Sequence, residues 1–305
     1  MQTTYTLNEW LFALGIYPDF QAAEKFNLFC ELAQASADET LSVEPIPSFL
    51  YESKKQKKLS LKKKASFATF LETVNLKDEQ TQYQEAGIQW VTILSKKYPE
   101  SLKQIFAPPV VLFYKGDLEM IHQHTWLGVV GARACSQYGL DVTEHILNPL
   151  ITETKTNIGI VSGLARGIDA KAHKETIQAG GKTIGVIGTG LNRYYPSSNR
   201  PLQREMEKDH LVISEYPMTS KPLKHHFPER NRIIAGLSRG ILVIEAKQRS
   251  GSLITAYNAL EESRDVFAVP GSIFDVNVEG CHRLIQLGAI LTKSSEDILK
   301  EWMYI

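Results

Sequence analysis

Net charge is the first thing this 305-residue chain lacks, its 34 lysines and arginines balancing 34 aspartates and glutamates. That excludes a generally basic, histone-like polyanion binder, so any affinity for phosphates must come from cations gathered locally. Cysteine is scarce. Cys30, Cys135 and Cys281 are odd in number and far apart, with no C-x-x-C pair and no histidine at zinc spacing. A disulfide framework and a zinc module are excluded, and a reduced, cytoplasmic setting is expected. Long apolar runs are missing as well. No stretch approaches the roughly 20 residues of a bilayer span, and MQTTYTLNEWLFALGIY shows neither a basic leader nor a cleavage site, so no membrane span is expected.

The length allows one large core plus a smaller domain, because cores rarely grow beyond roughly 250 to 300 residues. Residues 1–104 read as mostly helical. Leu7, Trp10, Leu11 and Leu14 fall at helical spacing, Phe26, Phe29, Cys30 and Ala33 repeat the pattern, and Pro18, Pro45 and Pro47 punctuate it. The basic run Lys54, Lys55, Lys57, Lys58, Lys62, Lys63 and Lys64 reads as a solvated face or linker before it reads as a phosphate contact. Gly87 to Leu94 is a strand candidate. Beyond residue 104 the texture changes. Short aliphatic runs at 110–114, 126–130, 158–162, 183–187, 211–214, 241–244 and 266–269 lack polar alternation, as strands buried on both faces do. Helical patterns lie between them, for instance Ile146, Leu147, Leu150 and Ile151, or Leu253, Ile254, Tyr257 and Leu260. Residues 105–305 are therefore predicted to form an α/β, doubly wound, mainly parallel sheet, preceded by a small helical domain in residues 1–104. Pro149 is expected to kink or interrupt its helix.

In such sheets ligands bind outside the carboxyl ends of the strands, so the loops that follow the strands are compared with one another. They contain Arg133 and Ser136; Gly163, Arg166 and Asp169; Gly188, Gly190 and Arg193; Lys224, Phe227, Arg230, Asn231 and Arg232; and Lys247, Arg249, Ser250, Gly251 and Ser252. Each sets a cation beside glycine, serine or the start of a helix. Free N–H groups at helix N-termini favour anions, small residues let a phosphate approach, and guanidinium beside an aromatic suits phosphates carrying stackable bases. The constellation points to nucleic acid. A dinucleotide fingerprint fails because Arg193 stands where the third glycine would, and no P-loop is present, so no cofactor is expected. Asp169 and His173 share a helix face but read as a structural pair, and Glu245 is expected to orient Arg230 or Arg232.

The same residues carry a resemblance. Gly131 to Gly139 (G-x-R-x-x-S-x-Y-G), Ser162 to His173 (S-G-L-A-R-G-I-D-x-x-A-H), Phe227 to Gly236 (F-P-x-R-N-R-I-I-A-G), Ser250 to Ala256 (S-G-S-L-I-T-A) and Val269-Pro270-Gly271 resemble the DNA-processing protein A (DprA/Smf) family, in unbroken order from about Ala107 to Ala289. The resemblance implies a Rossmann-like domain that binds and protects single-stranded DNA and helps load RecA recombinase onto it in natural transformation, without enzymatic activity. It implies DNA contacts from Arg133, Lys224, Phe227 and Arg230, with the Gly163 and Ser250 to Ser252 loops nearby. The N-terminal module is similar to a sterile-alpha-motif-like domain, and the winged-helix domain of some members is not expected. Cys281-His282 replaces the family's threonine-asparagine pair.

A second reading is an enzyme, since nucleoside-monophosphate phosphoribohydrolases share this type of phosphate-binding layout. Their P-G-G-x-G-T-x-x-E motif is absent, Lys247 to Ser252 standing at the corresponding place without the glutamate. A purely partner-binding role is the third. Leu284, Ile285, Leu287 and Ile290 exceed what one short helix needs to dock; they read either as a homodimer interface, as family members commonly dimerise, or as residues of the same core.

Overall fold

A computed structural model describes residues 5–37, 60–152 and 157–303. The N-terminal segment folds as α1 (Leu7–Ile16), α2 (Ala22–Ala37), α3 (Leu61–Thr73), α4 (Leu76–Glu85) and the short α5 (Glu100–Lys103), with strand β1 (Gln89–Thr92) between the last two. Side chains set the helix starts. Thr6 and Glu9 form a reciprocal capping box on α1, while Ser60 and Asn75 accept the Lys63 and Asp78 N–H groups on α3 and α4. Aromatic rings fill the space between: Trp10 meets Phe67 edge-on at 5.7 Å, and Phe12 lies 4.7 Å from Trp90 and 6.2 Å from Phe113. Of the basic run, Lys54, Lys55, Lys57 and Lys58 lie outside the described residues, and Lys63 pairs with Glu24 at 2.8 Å.

The rest alternates: β2 (Val111–Gly116), α6 (Met120–Gln123), β3 (Thr125–Val130), α7 (Gln137–Thr152), β4 (Ile158–Ser162), α8 (Ile168–Gln178), β5 (Thr183–Val186), α9 (Arg200–Asp209), β6 (Leu211–Ser214), α10 (His226–Leu237), β7 (Gly240–Val243), α11 (Gly251–Glu261), β8 (Asp265–Ala268), α12 (Glu279–Gln286), β9 (Ile290–Leu291) and α13 (Ser295–Met303). The sheet runs β1-β2-β6-β5-β4-β3-β7-β8-β9. From β6 to β9 every pair is parallel, and β1 and β2 add an antiparallel edge beside β6. The fold is Rossmann-like, as the aliphatic strands required. β3 pairs with both β4 and β7, so chain order reverses there and opens a crevice between the loops that follow β3 and β7.

Strand β1 lies before residue 104 yet pairs with β2, and one apolar core runs from Trp10 and Phe67 through Phe113 to Ile213 and Ile233. The Tyr83 hydroxyl accepts the Met218 N–H at 2.9 Å, which ties the N-terminal helices to the loop after β6. Pro149 does not interrupt α7, which continues to Thr152. The missing N–H costs one helical hydrogen bond, and the full burial of Ile146, Leu147 and Leu150 holds the helix in place. Among the described residues, no helix is long and apolar enough to cross a membrane.

Candidate nucleic-acid interface

Two contiguous cavities open at the carboxyl ends of the parallel strands. The larger, about 630 Å³, is lined by Arg133 after β3, by Lys224, Phe227, Arg230 and Asn231 at the start of α10, and by Lys247, Arg249, Ser250, Gly251 and Ser252 at the start of α11. The smaller, about 410 Å³, shares Arg133, Tyr195, Phe227 and Arg230 and extends to Gly163, Arg166, Gly188 and Tyr194. Five loops separated by some 120 residues of chain thus form one groove.

Its aromatic centre is Phe227. The Arg133 guanidinium stands 5.4 Å from the ring centroid and Tyr195 stands 5.6 Å from it. Lys224, Arg133, Arg166, Lys247 and Arg249 are all exposed, so their charges are available to an anion. At the start of α11 no side chain caps the helix, the Ser250 hydroxyl is buried without a partner, and Gly251 faces open space. N–H groups that no side chain caps, next to two cations, are chemically able to seat a phosphate at this helix end.

Arg230 is different. It is 4% exposed and its Nη1 donates to the Val186 carbonyl, while burial lowers its pKa to about 10 against the opposing charge of Asp169. It remains a cation at neutral pH and forms the floor of the groove. The glycine at 163 permits this, because a Cβ there would lie 2.1 Å from Nη1. Asp169 accepts the Gly163 and Ala165 N–H groups at 3.2 and 3.4 Å and so shapes the loop after β4; burial raises its pKa, and Arg230 is the first of the influences opposing the rise. Gly167, at φ 73°, turns that loop into α8, packed where a Cβ would strike the Ala132 carbonyl.

Other expected contacts serve as supports. The Asn231 amide donates to Gly251 O at 3.2 Å and the Ser252 hydroxyl to Gly131 O at 2.9 Å, which fixes the two helix starts to each other and to the β3 loop. Ser136 donates through its N–H and its hydroxyl to Glu245. Glu245 therefore orients the β3 loop rather than Arg230 or Arg232, being wholly buried directly beneath Gly139. Arg193 is exposed, its Nε donating to Thr219 O at 2.9 Å, and it lines neither cavity. Arg232 is brought elsewhere. One or two residues from Arg230 on a helix is a different face, and Arg232 pairs there with buried Glu215 beside a separate cavity lined by Gln21, Phe106 and Glu229. His173 also has a structural role: the Thr183 hydroxyl donates to Ile160 O and accepts from His173 Nδ1 at 2.7 Å, and burial drives the imidazole pKa down to about 3.

Tyr194 and Tyr195 were not among the expected contacts, although they stand in the loop after β5. The Tyr194-Tyr195-Pro196 run, two aromatics directly after a glycine-rich loop, was the available signal. Of the apolar quartet expected at a dimer interface, Leu284 belongs to the core at 0% exposure, and Ile285 and Ile290 are partly buried against it; Leu287 alone is open, at 52%. α12 is amphipathic, and docking consumes its inner face.

The chain is 53% identical over 213 residues to DNA processing protein DprA of Streptococcus pneumoniae, covering 70% of this chain and 74% of that protein. It is 44% identical over 211 residues to protein Smf of Escherichia coli, covering 69% of this chain and 55% of that one. The crystal structure of the Streptococcus pneumoniae protein superposes with a TM-score of 0.82 at 40% identity, over 99% of each chain. A structure of DNA processing protein A from Helicobacter pylori, concerned with its single-stranded DNA binding mode, superposes at 0.63 and 25% identity over 71% of this chain and 96% of that one. The family model of DNA recombination-mediator protein A matches residues 89–303, from β1 to the end of α13. A chain with this groove, this sheet order and these relatives belongs to the DNA recombination-mediator protein A family.

Proposed function

We propose that the protein binds single-stranded DNA along this groove, protects it, and helps load RecA recombinase onto it during natural transformation, acting in the cytoplasm and without catalytic turnover. One observation carries the reading: a half-exposed Phe227 set among the exposed cations Arg133 and Lys224, at the mouth of an uncapped helix N-terminus. Phosphates meet charge and N–H groups while a splayed base meets a ring, a combination that a paired, stacked duplex cannot use as fully. The binding mode named for the Helicobacter pylori relative supports it. Against base release, the one carboxylate among the lining residues, Asp169, is already committed to backbone N–H groups, and the buried Glu245 is committed to Ser136.

The protein acts as a homodimer in this reading, through Leu287 and the exposed Ile273, Phe274 and Val276 of the loop that leads into α12. Two grooves on one strand would raise effective affinity without new contacts. Titration of oligo-dT against salt tests the site. Removing one phosphate contact by Lys224→Ala should make the log–log slope shallower by about 0.7. An unchanged slope and affinity would place the DNA elsewhere, and release of free base from nucleoside monophosphates would favour the hydrolase. RecA's ATP hydrolysis on single-stranded DNA, with and without the protein, reads the loading step.

A further inference from the structure

We propose that the strand leaving the groove continues over a second basic surface, built from Tyr194 and the outer face of α9, which holds phosphates of the same single-stranded molecule. The idea rests on reading the groove as a single-strand site. Tyr195 borders both cavities, whereas its neighbour Tyr194 borders only the smaller, so Tyr194 marks the end remote from Lys247 and Arg249. Beyond it the charge continues. The guanidinium carbons of Arg200 and Arg204 stand 5.1 and 5.5 Å from the Tyr194 ring centroid, and the ring holds both side chains beside the cavity mouth.

Helical spacing explains the arrangement. Arg200, Arg204 and Lys208 fall at i, i+4 and i+8, on one face over about 12 Å of α9, and all three are exposed. Like charges so placed oppose helix formation in the free protein, and an anion laid along them removes the repulsion. Among the described residues neither arginine has a carboxylate partner, and Lys208 touches only its exposed neighbour Asp209, at 3.8 Å. The helix's Glu207 is turned away to Lys115 and Gln203, which leaves Glu205 as the other exposed acid. Two arginines without a carboxylate partner among the described residues, with Lys208 a turn further on, continue an aromatic-lined groove and match a phosphodiester chain.

The test compares lengths of oligo-dT in fluorescence anisotropy: about 4 nucleotides, enough for the groove, and about 16, enough to continue past Tyr194. The double variant Arg200→Gln/Arg204→Gln should leave the short oligonucleotide bound as by the parent and weaken the long one. Two lost phosphate contacts make the salt slope for the long strand shallower by about 1.4, so a fourfold rise in salt costs the parent about 7-fold more affinity than the variant. Lys293→Gln/Lys300→Gln removes equal charge at the β9 end of the sheet and should change neither. Equal losses at both lengths, no loss, or the same loss from the control pair overturns the proposal. Lys224→Ala, measured alongside, separates the two readings: if it weakens both lengths while the arginine pair does nothing, the groove stands and its extension falls. If neither has any effect, both fall.

Discussion

Truncating Phe227 to alanine isolates the base-stacking contribution from the phosphate contribution. The ring is half-exposed, belongs to neither apolar core, and contacts Arg133 and Tyr195 at the groove, so the variant should fold. One ring serves one base. Stacking of that kind contributes about 1 to 3 kcal/mol per base, and a middle value near 2 kcal/mol corresponds to roughly 30-fold in affinity. The ring has no charge, so the salt slope should stay where it was. Anisotropy with oligo-dT and with an abasic strand of equal length reads the difference. The parent should prefer oligo-dT by about 30-fold, and Phe227→Ala should bind both strands as weakly as the parent binds the abasic one. A variant that keeps the preference, or one that loses equally on both strands, would refute stacking on this ring.

Gly163→Ala should displace the Arg230 guanidinium from Val186 O and leave buried donors unpaired, lowering stability by about 2 kcal/mol in denaturant unfolding and weakening DNA binding as well. Unchanged stability would mean that Arg230 has another place to go. His173 is held neutral down to about pH 3, against an ordinary value of 6.5, so the unfolded chain takes up a proton that the native state refuses. Its contribution is complete above pH 6.5 and is lost as pH falls towards 3, about 2 kcal/mol by pH 5. That part of the pH dependence should vanish in His173→Gln, and an identical profile would put the imidazole in contact with water. Leu287→Glu should give a folded monomer in sedimentation, with weaker DNA binding through the loss of the second groove. A monomeric parent would remove the dimer from the proposal.

Much of this architecture is written locally. The short aliphatic runs at 126–130, 158–162 and 241–244 read as strands covered on both faces, because a sheet open to water on one side would show polar alternation. Their loops then had to gather at one edge, which is why the sequence alone groups Arg133, Lys224, Phe227, Lys247 and Arg249. Sequence also separated Arg230 and Arg232 no further than two positions. Only packing decided between them, since a helix turns about 100° per residue and sends one guanidinium under the groove and the other to Glu215. Leu284 and Leu287, three positions apart and so neighbours on a continuous helix, divide because α12 ends at Gln286, which leaves Leu284 in the core and the C-cap Leu287 in water. Tyr194 with Arg200 and Arg204, Glu245 with Ser136, and β1 with β2 are pairings across loops and layers. Such contacts depend on which elements become neighbours in space, and local periodicity holds no record of that.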